Sequence, residues 1–296
     1  MRGSSVRTTS LPLCARVEHG VRGSWCLLIL LVVASGCQER SEAASSQPLR
    51  LATSHSLEES GLFQRLAPMF REATGIDVKP AFVGTGRALA LGRSQQADVV
   101  WVHSRPQEDA FVDAGYGINR HEIMFSEYVI VGPAEDPAGT AKLDSAVEAL
   151  RRIAQASAPF VSRGDGSGNH TRETALWKLA GIKPKAPWYT SQKQGMLAVL
   201  EVASKGGGYA LTDQPTFLVH KRQLKLVVLV RGDGRLENPY SVIAVNPAKV
   251  QGVNYAGAIA FIDFVTGSAA QTTIGDFGKD RYGVPLFQPL APAKAR

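Results

Sequence analysis

Three short polar loops hold the residues of this chain whose types and spacing suit the binding of an anion. They are residues 53–56, 84–86 and 163–169, and each is rich in Gly, Ser or Thr. Each follows an apolar run that predicts a strand and precedes a stretch that predicts a helix. A helix N-terminus presents unpaired amides and a partial positive charge, hydroxyls add donors, and the Arg163 guanidinium adds charge-assisted hydrogen bonds. If the loops converge, we expect them to surround a tetrahedral dianion with donors alone.

Each loop also has a purely structural explanation. Ser56 begins the pattern Ser-Leu-Glu-Glu, a capping box, so its hydroxyl could serve only to start a helix. The glycines around Thr85 could form a tight turn, and Asn169 could be no more than a cap. The Arg-Gly-Asp sequence that begins at Arg163 matches an adhesion tripeptide, which we attribute to chance. The repetition of one loop type at three strand-to-helix junctions favours the anion site.

Histidine and serine patterns give little support to an enzyme, the alternative from a different class. The six histidines fall singly, without a His-x-x-x-His or His-Glu-x-x-His pair, so we expect no metal site. An exported hydrolase could use Ser167 or His170. However, no Gly-x-Ser-x-Gly elbow surrounds Ser167, because Asp165 stands two residues before it. We therefore expect no catalytic residue and no cofactor.

Charge and cysteine usage narrow the classes further. The 296 residues have a net charge of +7, and the basic residues form no run of the kind that binds nucleic acid. The three cysteines are Cys14, Cys26 and Cys37, all near the N-terminus. The body of the chain therefore has no disulfide and no thiolate metal site.

The N-terminus has the pattern of an export signal. An apolar run of ten residues, 25–34, follows an arginine-containing stretch and is too short to cross a bilayer as a helix. The small residues 34–36 directly precede Cys37, which resembles a bacterial lipobox with Ala34 where Leu is usual. We predict that residues 1–37 are an export signal in which Cys37 is lipidated; cleavage to a soluble form is the alternative. Residues 38–47 are polar and predict a flexible tether, and no other contact with a membrane is expected.

Alternating strand and helix patterns along the rest of the chain predict an α/β fold with mixed sheets flanked by helices. A helix is predicted from Ser56 to a stop at Gly75, and strands are predicted at residues 99–102, 128–131, 160–162 and 241–245. One α/β set interrupts the other. This predicts one lobe of residues 48–131 and 241–290 and a second of residues 132–240, joined by two crossing segments near 126–133 and 236–243. The cleft between the strand ends of the two lobes is the expected site.

The loops and several other segments resemble the periplasmic tungstate-binding proteins of ABC importers, a branch of the type II solute-binding proteins. The matching text is LATSHS (51–56), VGTGRAL (83–89), ADVVWVH (97–103), AGYGINR (114–120), VIVGP (129–133) and FVSRGD (160–165), with Ser167, Gly168 and His170. The similarity extends from about residue 49 to about residue 285, and the ordered set is specific to that family.

The resemblance implies a two-lobed fold that captures a small oxyanion, tungstate above all, outside the cytoplasm for an inner-membrane ABC permease. Such binders are usually monomers. It implies that the anion contacts fall on Thr53, Ser54, Ser56, Thr85, Arg163, Ser167 and Asn169. Ser54 and His55 replace two of the family's usual threonines, and Asn169 stands where Thr is usual. Molybdate, and less so phosphate, therefore remain alternatives. A donor-only site would reject phosphate, because the residual proton of phosphate would find no acceptor.

Overall fold

The computed structural model describes residues 47–290. The predicted export signal with Cys37, and the tether except its last residue, lie outside the described residues. The strands are β1 (Leu49–Thr53), β2 (Val78–Phe82), β3 (Val99–Val102), β4 (Gly117–Gly132), β5 (Phe160–Ser162), β6 (Tyr189–Ser191), β7 (Ala210–Asp213), β8 (Val227–Val230), β9 (Glu237–Val245) and β10 (Gln288–Pro289). The helices are α1 (His55–Ser60), α2 (Leu62–Thr74), α3 (Thr85–Arg93), α4 (Arg105–Asp113), α5 (Ala146–Gln155), α6 (Gly168–Leu179), α7 (Met196–Gly206), α8 (Gln214–His220), α9 (Tyr255–Thr266), α10 (Ser268–Asp276) and α11 (Lys279–Tyr282).

The main sheet is mixed, with the strand order β10-β4-β9-β3-β1-β2. Strands β2, β1 and β3 are parallel to one another, whereas β9 runs antiparallel to both β3 and β4. Strand β3 is buried on both faces, which explains its continuous apolar run. Pro80 is tolerated in β2 because that strand pairs only with β1 at the edge of the sheet.

Strand β4 is 16 residues long and belongs to two sheet regions. Its first part pairs with β9, and its last residues pair with β7 and β8. The sequence predicted only its end, residues 128–131, because residues 117–122 are mostly polar and not buried, and they form neither an apolar run nor an alternating pattern. A second, two-stranded sheet is formed by β5 and β6.

Among residues 47–290, the buried apolar side chains form four clusters that separate into two lobes. Two clusters draw their buried residues from 49–124 and 240–287, which we call the first lobe. The other two draw theirs from 128–236, which we call the second lobe. Two strands, β4 and β9, cross between the lobes, and the predicted fold class is confirmed. Tyr128 and the three residues after it belong to the buried clusters of the second lobe.

The start of the first helical region differs from the prediction. Ser54, not Ser56, is the N-cap of α1, and α1 ends at Gly61, whose φ is +83°. A second helix, α2, then runs to the predicted stop at Gly75. Ser56 lies inside α1, so the capping-box interpretation was wrong. The sequence analysis also missed β6, β7, α8, α11 and β10.

No helix within residues 47–290 combines the length and the apolar character that a membrane span requires.

Candidate functional site

The ends of β1, β2 and β5 meet at one cavity between the two lobes, and α1, α3 and α6 begin beside it. The cavity has a volume of about 20 Å³. The lining residues are Ser54, His55, Ser56, Glu59, Val83, Gly84, Thr85, His103, Arg163, Ser167, Gly168, Asn169, Met196, Asp213 and Thr216.

Six of the seven residues predicted to contact the anion line this cavity, and Thr53 does not. The Thr53 hydroxyl donates to the backbone carbonyl of Trp101 at 2.9 Å, and the residue is fully buried. Thr53 therefore ties the end of β1 to β3 behind the site. The other six come from all three loops, so the predicted convergence is present in the fold.

The N-terminus of α3 faces the cavity with unused donors. Its N-cap is Gly84, which has no side chain to accept from the first-turn amides. The Thr85 hydroxyl is buried and has no hydrogen-bond partner among the described residues. A buried hydroxyl without a partner costs roughly 1–3 kcal/mol. The arrangement is explained if a ligand in the cavity accepts from this hydroxyl and from the amides.

Arg163 is the one arginine or lysine among the described lining residues. Its Nε donates to Asp165 Oδ2 at 2.7 Å, and Asp165 Oδ1 accepts from the Ser167 amide at 3.0 Å. Gly164 has φ +63°, and a Cβ there would lie 1.6 Å from Ser191 Oγ, so only glycine fits. The loop is therefore pinned against β6, with the guanidinium held at the cavity.

Glu173 supports this loop from beneath. It is buried on α6 and accepts hydrogen bonds from Ser162 Oγ at 2.8 Å, Tyr189 Oη at 2.7 Å and Trp177 Nε1 at 3.3 Å. Burial raises the pKa of Glu173 to about 7, although these hydrogen bonds oppose the rise. The hydrogen bonds fix the end of β5, where the loop of Arg163 begins.

Hydroxyl groups of α1 form a short chain on the first-lobe side. Ser54 Oγ and Ser56 Oγ are 2.8 Å apart, and Ser56 Oγ is 3.1 Å from Tyr240 Oη. All three residues are buried. Hydroxyls can rotate between donor and acceptor roles, so this chain can turn a proton towards the cavity.

The N-terminus of α6 contributes from the second lobe. Ser167 is its N-cap, with the hydroxyl accepting from the His170 amide at 3.4 Å. Asn169 is buried, and its Nδ2 lies 3.1 Å from Met196 Sδ. A thioether is a weak acceptor, so the amide of Asn169 keeps a donor for a better partner.

His103 is a lining residue that the sequence analysis missed. Its ring stacks on Tyr240 with centroids 4.6 Å apart, and its Nδ1 lies 3.0 Å from Asn238 Oδ1. Burial lowers the pKa of His103, although the Asp213 carboxylate opposes this. A neutral ring with Nδ1 protonated towards Asn238 fits these contacts. The residues next to His103 in the sequence did not indicate this role, because the ring is positioned by Asn238 and Tyr240 on the distant strand β9.

Two carboxyl groups, Glu59 and Asp213, also line the cavity and were missed. Asp213 is the N-cap of α8, where its Oδ1 accepts from the Thr216 amide at 3.0 Å. The sequence did contain a signal for this helix start, because Asp213 is followed two residues later by Pro215. The expectation of a donor-only site was therefore wrong. Carboxylates can accept a proton, so the argument from missing acceptors does not explain discrimination against phosphate.

The geometry also argues against the hydrolase and adhesion interpretations of residues 163–170. Ser167 Oγ and the His170 ring are both used by backbone amides, at His170 and Gly166 respectively, so they do not form a nucleophile and its base. The guanidinium and carboxylate of the Arg-Gly-Asp sequence pair with each other, and the Arg163 side chain is only 12% exposed, unlike an adhesion motif. Within residues 47–290, no group of three or more His, Cys, Asp and Glu residues is arranged to hold a metal ion.

Two lobes joined by two crossing strands, with a polar cavity between them, form the architecture of a solute-binding protein. A family model described as the PBP superfamily domain matches residues 38–269. The tungstate-binding protein TupA of Peptoclostridium acidaminophilum is 40% identical over 276 residues, which cover 90% of this chain and 96% of that protein.

Solved structures give the same relationship. The structure of TupA from Desulfovibrio alaskensis G20 matches with a TM-score of 0.73 at 42% identity, covering 83% of this chain and all of that chain (100%). The structure of a tungstate ABC transporter from Geobacter sulfurreducens matches with a TM-score of 0.72 at 44% identity, covering 78% of this chain and 99% of that chain. The chain therefore belongs to the PBP superfamily and, within it, to the same family as the TupA proteins.

Proposed function

We propose that this protein binds tungstate in the cavity between its lobes and delivers it to an ABC importer. The single observation behind this proposal is the buried Thr85 hydroxyl, which has no partner within residues 47–290 and lies in a cavity that Arg163 also lines. The similarity to proteins named as tungstate-binding supports this choice of anion. Binding rather than catalysis is then the role of the site.

Each donor set has a distinct part in the proposed binding. Arg163, oriented by Asp165, neutralises part of the dianion with charge-assisted hydrogen bonds worth roughly 1.5–3 kcal/mol each. Thr85 and the first-turn amides of α3 approach from the first lobe, whereas Ser167 and Asn169 on α6 approach from the second. Because the donors are divided between the lobes, the anion stabilises the closed arrangement.

Ion size supplies the selectivity in this proposal. Tungstate and molybdate have longer bonds to oxygen than sulfate or phosphate, so the smaller ions leave the donor shell loose. Molybdate is the second candidate, because it nearly equals tungstate in size and charge. Because the two ions differ so little in size, competition with molybdate is the most demanding test of selectivity for tungstate.

Calorimetric titration of the purified protein with tungstate, molybdate, sulfate and phosphate tests the proposal. We expect saturable tungstate binding with a dissociation constant at or below about 1 μM, which corresponds to about −8 kcal/mol. Sulfate and phosphate should bind at least tenfold more weakly. Tight phosphate binding without tungstate binding would overturn the assignment.

We further propose that the protein works outside the cytoplasm as a monomer, attached to the membrane by a lipid on Cys37. The apolar run and small residues before Cys37 support an export signal, and residues 38–47 then act as the tether. Labelled fatty acid should enter the wild-type protein in cells but not the Cys37→Ser variant. Equal labelling of both would remove the anchor from the proposal.

A further inference from the structure

Glu59 occupies an unusual place for a carboxyl group, at an anion cavity and at the contact between the lobes. It lies in the last turn of α1, and its Oε2 is 3.5 Å from Thr216 Oγ1 and 3.7 Å from His220 Nε2 on α8. Thr216 and His220 belong to the second lobe, so Glu59 connects the lobes directly beside the cavity. Its side chain is 28% exposed.

Within residues 47–290, no arginine or lysine forms an ion pair with Glu59, and the basic group within ion-pair distance of it is the imidazole of His220. The Arg163 guanidinium lowers the pKa of Glu59, but it is itself paired with Asp165. Burial lowers the pKa of His220, so its imidazole is neutral near neutral pH and does not form an ion pair with Glu59 there. The titratable or charged groups around Glu59 are Glu58 and His55 on α1, Asp213 at the end of β7, His220 on α8, Arg163 after β5, and His103 after β3.

These surroundings favour the protonated form of Glu59. Burial raises its pKa to about 7, and the neighbouring Asp213 carboxylate adds to the rise, while Arg163 partly opposes it. A dianion in the same cavity adds two negative charges, which must raise this pKa further. A protonated carboxyl also gains an O–H donor that an anion can accept.

We propose that Glu59 takes up a proton as the cavity closes around its oxyanion, so that the protein binds the anion and a proton together. This inference rests on the proposed function. The proton comes from solvent and stays on the Glu59 carboxyl while the anion is bound. Opening of the lobes would separate Glu59 from α8 and the anion, and the proton would then be released with the anion.

The sign of the pH dependence follows from the two states of Glu59. At a pH low enough for Glu59 to be protonated in the free protein as well, affinity is nearly constant with pH. At higher pH the proton must be acquired on binding, and affinity should fall by up to about tenfold for each pH unit. Tungstate stays a dianion over this range, so its own titration does not contribute.

Calorimetry at about pH 8, in two buffers with different ionisation enthalpies, measures the proton uptake directly. We expect the wild-type binding enthalpy to differ between buffers by an amount that corresponds to uptake of up to about one proton per tungstate. Glu59→Gln should show no buffer-dependent enthalpy and a nearly flat affinity from about pH 7 to about pH 9. Glu72→Gln, the same change at an exposed position on α2, should behave as wild type.

The wild-type measurement needs no variant, so the test survives if Glu59→Gln folds poorly. Tungstate binding with equal enthalpies in both buffers would overturn this inference and leave the proposed function intact. An unchanged pH slope in a folded Glu59→Gln protein would do the same. Absence of tungstate binding at every pH would overturn the proposed function itself.

Discussion

Arg163 and Asp165 form an ion pair between residues only two positions apart, with Nε donating to Oδ2 at 2.7 Å. The same carboxylate accepts from the amide of Ser167, which starts α6. Asp165 therefore fixes the guanidinium relative to the helix N-terminus. The Arg163 guanidinium and the N-terminus of α6 therefore form one rigid unit at the cavity. This role explains why an acidic residue lies in a loop beside an anion site.

Removing the guanidinium should weaken binding strongly. We expect Arg163→Ala to lower the affinity for tungstate at least tenfold, since one charge-assisted hydrogen bond is worth roughly 1.5–3 kcal/mol. Calorimetric titration measures the change. Arg71→Ala is the matched control, because Arg71 is 69% exposed and pairs with Asp77 away from the cavity. Wild-type affinity in Arg163→Ala would exclude the assigned role.

Two threonines should separate affinity from stability. Thr85→Val removes a hydroxyl that has no partner among the described residues, so stability should be unchanged or slightly higher. Tungstate affinity should fall roughly five- to tenfold, about 1 kcal/mol. Thr53→Val loses the hydrogen bond to Trp101 and should cost about 1 kcal/mol of stability, with affinity within about twofold of wild type.

Urea denaturation and calorimetry of both threonine variants provide the readouts. The opposite result, with Thr53→Val losing affinity and Thr85→Val losing only stability, would restore Thr53 to the binding site and remove Thr85 from it.

Gly168 permits the close approach of α6 to His103. A Cβ at this position would lie 2.9 Å from His103 Cε1 and 3.2 Å from its carbonyl oxygen. Gly168→Ala should therefore cost about 1–3 kcal/mol of stability and weaken tungstate binding, because His103 must shift. Gly206→Ala, which meets nothing within 4 Å at the end of α7, should be neutral or slightly stabilising. Equal thermal midpoints for the two variants would show that this contact is not tight.

Glu173 should make the anion-free protein less stable as pH rises. Its pKa is raised from 4.5 to about 7 by burial, so the folded state binds a proton that the unfolded state releases in this window. The stabilisation is complete below about pH 4.5 and is lost as pH rises through about 7. Glu59 acts in the same direction, since its pKa is also raised.

Urea denaturation between about pH 5 and about pH 8 compares wild type with Glu173→Gln. The variant should show a shallower loss of stability with rising pH, whereas Glu72→Gln on exposed α2 should keep the wild-type slope. A Glu173→Gln slope as steep as that of wild type would mean that this carboxyl does not titrate as described.

The sequence predicted those parts of the site that depend on local pattern. The loops after β1, β2 and β5 each follow a recognisable strand and begin a helix, so Ser54, Thr85 and Ser167 could be placed without coordinates. The error over Ser56 was also local, because two serines compete for the cap and spacing alone does not choose between them. The fold class followed from the order of strands and helices.

The remainder depended on contacts distant in sequence. Glu59 reaches the site because α1 packs against α8, more than 150 residues later. His103 is oriented by Asn238 on β9, and the hydroxyl of Thr53 is used by Trp101 on a neighbouring strand. None of these partners has a motif that identifies it. The sequence therefore located the loops, but it did not show that Thr53 lies behind the cavity or that Glu59 and His103 line it.

The crossing strands β4 and β9 are hydrogen-bonded to each other where they leave the first lobe, with Ser126 opposite Asn238. Asn238 also donates to Ser126 Oγ at 3.0 Å and contacts the His103 ring at the cavity. The connection is thus a paired ribbon rather than two independent linkers. Because the two strands are paired there, we expect any movement of the second lobe to bend this ribbon near residues 126 and 238. Since the His103 ring contacts Asn238, a bend at this point would also move His103 at the cavity.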